Sequence, residues 1–304
     1  MRIFVTGALG FVGQRLLPKL ESHGHWVSGC DRDTVDVTDA SVVMQAIKAA
    51  QPDAVVHLAA ISFVPEARQN PALTREINVG GTRNVIRALQ ESAPKARLLL
   101  VGSSEQYAPV SPSSGLLDET TPLLGVGPYA ESKTEAEKMA LEASAEGLDL
   151  VRVRAFNHTG PGQEPRFVVP DFSRQVALIE QGAEAVLRVG NLESARDFLH
   201  VDDVVEAYVR LLQPDVEAGA YNVSSGRATQ IGEVLESLLH QTETKISIER
   251  DPSRWREADA RVGDSSRLRE KTGWRPTYSM NQIIEELLHY WRKRVRQDRE
   301  KPER

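Results

Sequence analysis

The stretch TGALGFVG sets Gly7, Gly10 and Gly13 three residues apart, between a short apolar run, RIFVT, and a helical pattern, FVGQRLLPKLESH. Glycines at such a junction let the chain turn tightly and let its backbone approach a pyrophosphate at the N-terminus of the following helix. The spacing is one residue wider at its start than the commoner G-x-G-x-x-G, but the physics is shared. With strand and helix on either side, Gly7, Gly10, Phe11, Val12 and Gly13 are read as a dinucleotide-binding turn. About twenty residues further on, a second strand, HWVSGC, ends in CDRD. Asp31 is placed to accept hydrogen bonds from an adenosine ribose, which favours NADH. Arg32 beside it suits a 2′-phosphate, which favours NADPH. The two point in opposite directions and leave the choice open. Asp36 and Val37, in DVTD, either flank the adenine or simply close a strand before a helix cap.

Strands and helices alternate beyond this turn. ASVVMQAIKAA reads as a helix capped by Asp39, DAVVHLAA as a third strand, and residues 71–93 as one long helix. RLLLVGSS is apolar without alternation, as a strand buried on both faces should be. PYAESKTEAEKMALEASAEG is a helix with Pro128 in its first turn, and LDLVRVRAF is another strand. This rhythm predicts an α/β fold with a doubly wound parallel sheet. After Phe156 loop-rich segments mix with helices, and YNVSSG is one more strand end. The expected division is a dinucleotide-binding domain of residues 1–155 with about 195–226. A smaller, interleaved substrate domain takes residues 156–194 and 227–304.

A formal net charge of −6 argues against nucleic acid or an anionic membrane as partner. The arginine-rich tail RKRVRQDREKPER is mixed in sign and reads as a solvated helix end. Cys30 is the sole cysteine, which excludes a disulfide within the chain and a thiolate metal cluster, and fits a cytoplasmic setting. His23 and His25 sit in a polar turn before a strand, and no metal site is expected. The first apolar run is broken by glycines and is not read as a signal peptide. No apolar stretch is long enough to span a bilayer.

YAESK puts Tyr129 and Lys133 four apart, on one face of a helix. A free tyrosine titrates near 10; a neighbouring ammonium and a nicotinamide's positive charge are expected to bring that value toward neutral. Ser103, at the end of the fourth strand, is placed to hold a substrate oxygen while Tyr129 passes a proton to or from it.

In this order, TGALGFVG, HLAA, GSS, YAESK, RDFLHVDDV, YNVSSG and TGWRP make the chain resemble the extended short-chain dehydrogenase/reductases along nearly its whole length. The resemblance implies a Rossmann fold and a catalytic triad of Ser103, Tyr129 and Lys133. It implies a cofactor loop at His57, Leu58, Ala59 and Ala60. Asn78 would be a supporting residue on the central helix, or an ordinary helix position. A homodimer through the helices after Pro71 and Pro128 is expected from the class. AFNHTGPGQ, RFVVPDF, VGNL, RDF and SRWREAD resemble the enzymes that convert GDP-mannose to GDP-6-deoxyhexoses. By that likeness Asn157 meets the diphosphate. Phe167, Val168, Asn191 and Arg196 wrap the nucleotide, and Arg256 and Asp259 hold its ribose or base. A competing role for Arg196 is a salt bridge with Asp197 or Asp202.

Glu105 decides between two reactions within this likeness. Dehydratases place a glutamate two residues after the hydroxyl to remove the C5 proton and expel water from C6. A ketoreductase needs no such base. Three features favour the reductase: serine at 103 where those dehydratases usually carry threonine, the loop NHTGPGQ, and a compact CDRDTVDVTD without a long insertion. The expectation is therefore reduction of a GDP-4-keto-6-deoxy sugar with NADPH or NADH, with Glu105 as a minor contributor. A dehydratase and a nucleotide-sugar 4-epimerase are the alternatives, and a non-catalytic NAD(P)-binding scaffold a more distant one.

Overall fold

The computed structural model describes residues 1–108, 115–255 and 257–300, so Arg256 lies outside the described residues. Six strands form the central sheet: β1 (Arg2–Thr6), β2 (Trp26–Cys30), β3 (Ala54–His57), β4 (Arg97–Ser103), β5 (Leu150–Ala155) and β6 (Gly219–Val223). Their spatial order is β6-β5-β4-β3-β1-β2 and every pairing is parallel. The order reverses between β1 and β3, the crevice in which sheets of this type bind ligands.

Strand residues alternate between two cores, because successive side chains point to opposite faces. On one face Ile3, Val5, Val56, Leu99, Val151 and Val153 pack against helices α1 (Gly13–Ser22) and α7 (Val201–Leu211). On the other, Phe4, Val55, Leu98, Leu100 and Leu150 pack against α2 (Ala40–Ala50) and against the long helices α4 (Pro71–Ser92) and α5 (Pro128–Ala145). Each such buried Val or Leu contributes roughly 1.5–3 kcal/mol of apolar burial. Covering both faces is what the unbroken apolar runs of the sequence required. Asp39 caps α2 by accepting from the Ser41 and Val42 amides.

The expected long helix over residues 71–93 is continuous but not uniform. Within α4, the run Pro71–Arg75 passes through a π turn, Glu76–Gly80, into Gly81–Ser92, and the short α3 (Val64–Gln69) precedes it. The π turn carries Asn78, whose amide donates to Ile61 O and Ser132 Oγ and whose oxygen accepts from Ile61 N. Asn78 therefore braces the loop after β3 against α5, beside Lys133.

A third core gathers α6 (Val168–Glu180), α8 (Ile231–Leu239), α10 (Met280–Glu300) and the strand Val186–Val189, and lies apart from the sheet's two cores. α9 (Ser266–Thr272) returns to the sheet through Leu268, followed by the fully buried Trp274. Trp274 Nε1 donates to Asp203 O on α7. A short strand Ala260–Arg261 pairs in parallel with Ala195–Arg196, and this small sheet leads to the carboxyl end of β4. Among the described residues, no helix is long and apolar enough to cross a membrane.

Candidate active site

The glycine turn is built as its spacing requires. Gly7 has φ +72°, and a Cβ there would come within 2.9 Å of the Ala59 amide. A Cβ on Gly13 would collide with the carbonyl oxygens of Gly7 and Ala8. The turn is tied to its surroundings on both sides. Asp31 accepts from the Leu9 amide at 2.9 Å and from Arg32 N at 2.8 Å. Phe11 stacks on His158, ring centroids 6.3 Å apart, and Arg15 donates to Pro161 O at 2.9 Å.

A cleft of about 910 Å³ opens over this turn and runs along the carboxyl ends of β1, β3 and β4. Of the cofactor residues expected from the sequence, Gly7, Gly10, Phe11, Val12, Gly13, the pairs Asp31–Arg32 and Asp36–Val37, and Leu58, Ala59 and Ala60 line it, and His57 does not. Ser103, Glu105, Tyr129 and Lys133 line its other end, with Asn157 and Phe167. The volume and the backbone-lined floor suit an extended dinucleotide with a second ligand beside it. His57, under this floor, is buried and held neutral near 3 by its burial and by the charge of Lys133.

Val168, Asn191, Arg196 and Asp259 lie outside that lining. Asn191 turns its oxygen back to the Glu193 amide. Arg196 does form an ion pair, but its partner is Asp259 at 2.6 Å rather than Asp197 or Asp202. The Asp197 carboxylate is taken up by Ser225, Gly226 N and Gly263 N, and Asp202 faces Arg15.

At the reactive end, burial sets the charge states. Burial raises the Tyr129 phenol to about 12; a hydrogen bond with Ser103 pulls it down and the charge of Glu105 pushes it up. Burial lowers Lys133 to about 8. Its Nζ donates to Val101 O at 2.8 Å. Leaving aside a nicotinamide's charge, the loss of water around the phenol outweighs its neighbours within the chain. Ser103 Oγ accepts from Glu105 N at 3.2 Å, which leaves its own proton for Tyr129 or a substrate oxygen.

Three supporting groups were not singled out from the sequence. Gln106 Oε1 accepts from Ser103 N, and its Nε2 donates to Glu137, which pairs with Arg152 and Arg154. The S-x-x-Q spacing of a capping box was the available signal for Gln106. Arg261 Nη1 lies 3.2 Å from Glu105 Oε1 and 2.9 Å from Asp259 Oδ2. Nothing in its local sequence marks Arg261, because the contact spans 156 residues.

Comparison with known proteins assigns this architecture. The model of the GDP-mannose 4,6-dehydratase family matches residues 33–287. The chain belongs to that family. Within the family's wider group, the chain is 36% identical over 302 residues to GDP-6-deoxy-D-mannose reductase of Pseudomonas aeruginosa, covering 98% of this chain and 99% of that protein. It superposes on the structure of RMD from Pseudomonas aeruginosa complexed with NADPH with a TM-score of 0.89, at 34% identity over 97% of this chain and 99% of that one. The UDP-glucose 4-epimerase of Thermus thermophilus complexed with NAD gives a TM-score of 0.85 at 26% identity, covering 96% and 99% of the two chains. The fold is that of the extended short-chain dehydrogenase/reductases, and the protein is an NAD(P)-dependent oxidoreductase of nucleotide sugars. The dehydratase family therefore includes a chain whose Glu105 is ion-paired to Arg261.

Proposed function

We propose that this protein reduces the C4 ketone of GDP-4-keto-6-deoxy-D-mannose to give GDP-D-rhamnose, using NADPH or NADH. The similarity to the Pseudomonas reductase, 36% over 98% of the chain, carries the substrate assignment. A dinucleotide held in the cleft would supply the hydride for C4. Tyr129 stays a phenol at neutral pH, burial holding it at about 12, so it gives a proton to the C4 oxygen as charge develops there. Ser103 offers a second hydrogen bond to the same oxygen. Lys133, as an ammonium below about 8, favours the phenolate that remains and would hold the cofactor ribose. Asn157 takes the diphosphate, and Phe167 wraps the nucleotide. Val168, Asn191, Arg196, Arg256 and Asp259 serve the nucleoside.

The second reading is dehydration of GDP-mannose. It is favoured by one observation: Glu105 stands two residues after Ser103 on the wall of the same cleft. It requires Glu105 to take a proton from C5.

Residues 1–155 with about 195–226 are proposed as the cofactor domain, and 156–194 with 227–304 as the sugar-nucleotide domain. The separate third core, built from α6, α8 and α10, supports that division. A homodimer through α4 and α5 is supported by Leu141, a large apolar side chain left exposed on α5. A cytoplasmic setting fits the single, buried, unpaired Cys30.

Two incubations test the reaction. Protein with GDP-4-keto-6-deoxy-mannose and NADPH or NADH should oxidise cofactor in step with ketone loss. Protein with GDP-mannose and NADP+ or NAD+ should form no 4-keto sugar. Formation of that sugar without net cofactor change would establish the dehydratase instead.

A further inference from the structure

The geometry points to Arg261 as a positioning residue that keeps Glu105 from acting as a base, so that the site reduces a ketone without enolising it. The inference rests on the reductase reading above and extends it to what suppresses the competing reaction. Four charged groups alternate in space: Glu105, Arg261, Asp259 and Arg196. Arg261 is the buried member, its side chain 7% exposed against 28% for Glu105. Its Nη1 is shared by both carboxylates, and its Nε donates to Tyr107 O at 3.4 Å. The parallel pairing of Ala260–Arg261 with Ala195–Arg196 fixes both arginines on one small sheet. The clamp is therefore anchored in the backbone and reaches the end of β4 from outside the cleft.

A 4-ketone makes the C5–H bond acidic, and Glu105 lines the cleft with Ser103 and Tyr129. The suppressed step is balanced without any cofactor. The C5–H bond breaks and its proton goes to the Glu105 carboxylate. The electron pair passes to the C4 oxygen, which Tyr129 and Ser103 hydrogen-bond, and reprotonation at C5 restores the ketone. Taking that proton would break the charge-assisted bond to Arg261 and leave a buried guanidinium with one carboxylate partner in place of two. Arginine cannot lose its own charge to relieve this.

The test is deuterium uptake at C5 of GDP-4-keto-6-deoxy-mannose in D2O without cofactor, followed by NMR. Ketone reduction by the wild type with NADPH is measured in parallel. The wild type should show no C5 exchange above the enzyme-free rate. Arg261→Met should raise enzyme-dependent exchange about a hundredfold, the low end of what a positioned base gives. Arg261→Lys should return it toward the wild-type level, and Arg261→Met/Glu105→Gln should abolish it. NADPH binding reports whether each variant is folded, and Arg261→Gln replaces the methionine variant if that one is not. Rapid exchange by the wild type, exchange unchanged in a folded Arg261→Gln or Arg261→Met, or exchange that survives Glu105→Gln each overturn the proposal. If the wild type does not reduce the ketone, the reductase reading fails separately, whatever the exchange result.

Discussion

Lys133 Nζ and Val101 O are 2.8 Å apart, so the ammonium of the Y-x-x-x-K pair rests on the backbone of β4. Burial has brought that ammonium to about 8, and it is charged below this value and neutral above it. A charge that helps hold an anionic cofactor is therefore lost over a narrow alkaline range. NADPH affinity, measured by fluorescence titration, should weaken by up to roughly tenfold between pH 7 and pH 9. Lys133→Arg, which keeps its charge throughout, should bind more weakly overall but with a flat pH dependence. A flat wild-type profile would show that Lys133 does not titrate where burial puts it.

The same burial is a cost to folding. Between the ordinary lysine value of 10.5 and about 8, the unfolded chain holds a proton that the folded chain does not. Stability from this group thus falls as pH drops through that window, and the full penalty stands below about 8. Lys133→Met removes it. The cofactor-free variant should be more stable than the wild type at pH 7 by about 1–3 kcal/mol in urea unfolding, while ketone reduction is lost. A destabilised variant would mean that the Val101 contact outweighs the desolvation.

Tyr129→Phe separates proton transfer from binding. The ring remains to pack beside Ile61 and Ala67, which share its apolar cluster. Reduction should fall by about 10²–10⁴ in kcat. NADPH affinity should stay within about threefold, a difference under 1 kcal/mol. Equal losses in both would mean that the phenol mainly shapes the cofactor site.

The sheet and the glycine turn were legible because they rest on local rules. Three glycines at fixed spacing, apolar runs of strand length and a helix cap at Asp39 each act within a few residues. Tyr129 and Lys133 were legible for the same reason, being one helical turn apart. The burial that raises Tyr129 was not, because burial is a property of the packed interior rather than of sequence spacing. Arg261 was hidden by distance along the chain. Asp197 and Asp202 were the partners that sequence proximity offered Arg196 in the competing role, yet the small sheet carries Asp259 to it instead. The π turn at Glu76–Gly80 also had no local signal; it is the place where Asn78 reaches both Ile61 and Ser132.

Gly13→Ala tests the turn itself. The added Cβ would strike the carbonyl oxygens of Gly7 and Ala8, both backbone atoms that cannot swing aside. The helix start must shift away from β1, which distorts the surface offered to a pyrophosphate. The variant should lose about 1–3 kcal/mol of stability and bind NADPH roughly a hundredfold more weakly by titration. Unchanged affinity would show that the pyrophosphate does not rest on this turn.

Glu137 supports the reactive end from behind the sheet. Its side chain, 3% exposed, lies 2.7 Å from Arg154 and 3.0 Å from Arg152. It also accepts from Gln106 Nε2 at 2.7 Å, and Gln106 Oε1 holds the Ser103 amide at 2.8 Å. Burial alone would raise its carboxyl, but the bonds and charge of Arg154, with help from Gln106 and Arg152, bring it below the usual range. Glu137→Gln leaves two guanidiniums facing a neutral amide in the interior. Breaking a buried pair from one side costs about 3–5 kcal/mol, a fall in melting temperature of roughly 5–12 °C for a chain of this size. The sign of the pH dependence follows from the lowered value. Wild-type stability from this group is fully present above the ordinary glutamate range and is lost as pH falls through the folded value, so the gap between wild type and variant should close in acid. A gap that is small at pH 7, or constant down to acid unfolding, would mean that Glu137 serves as a hydrogen-bond acceptor for Gln106 and that its charge contributes little.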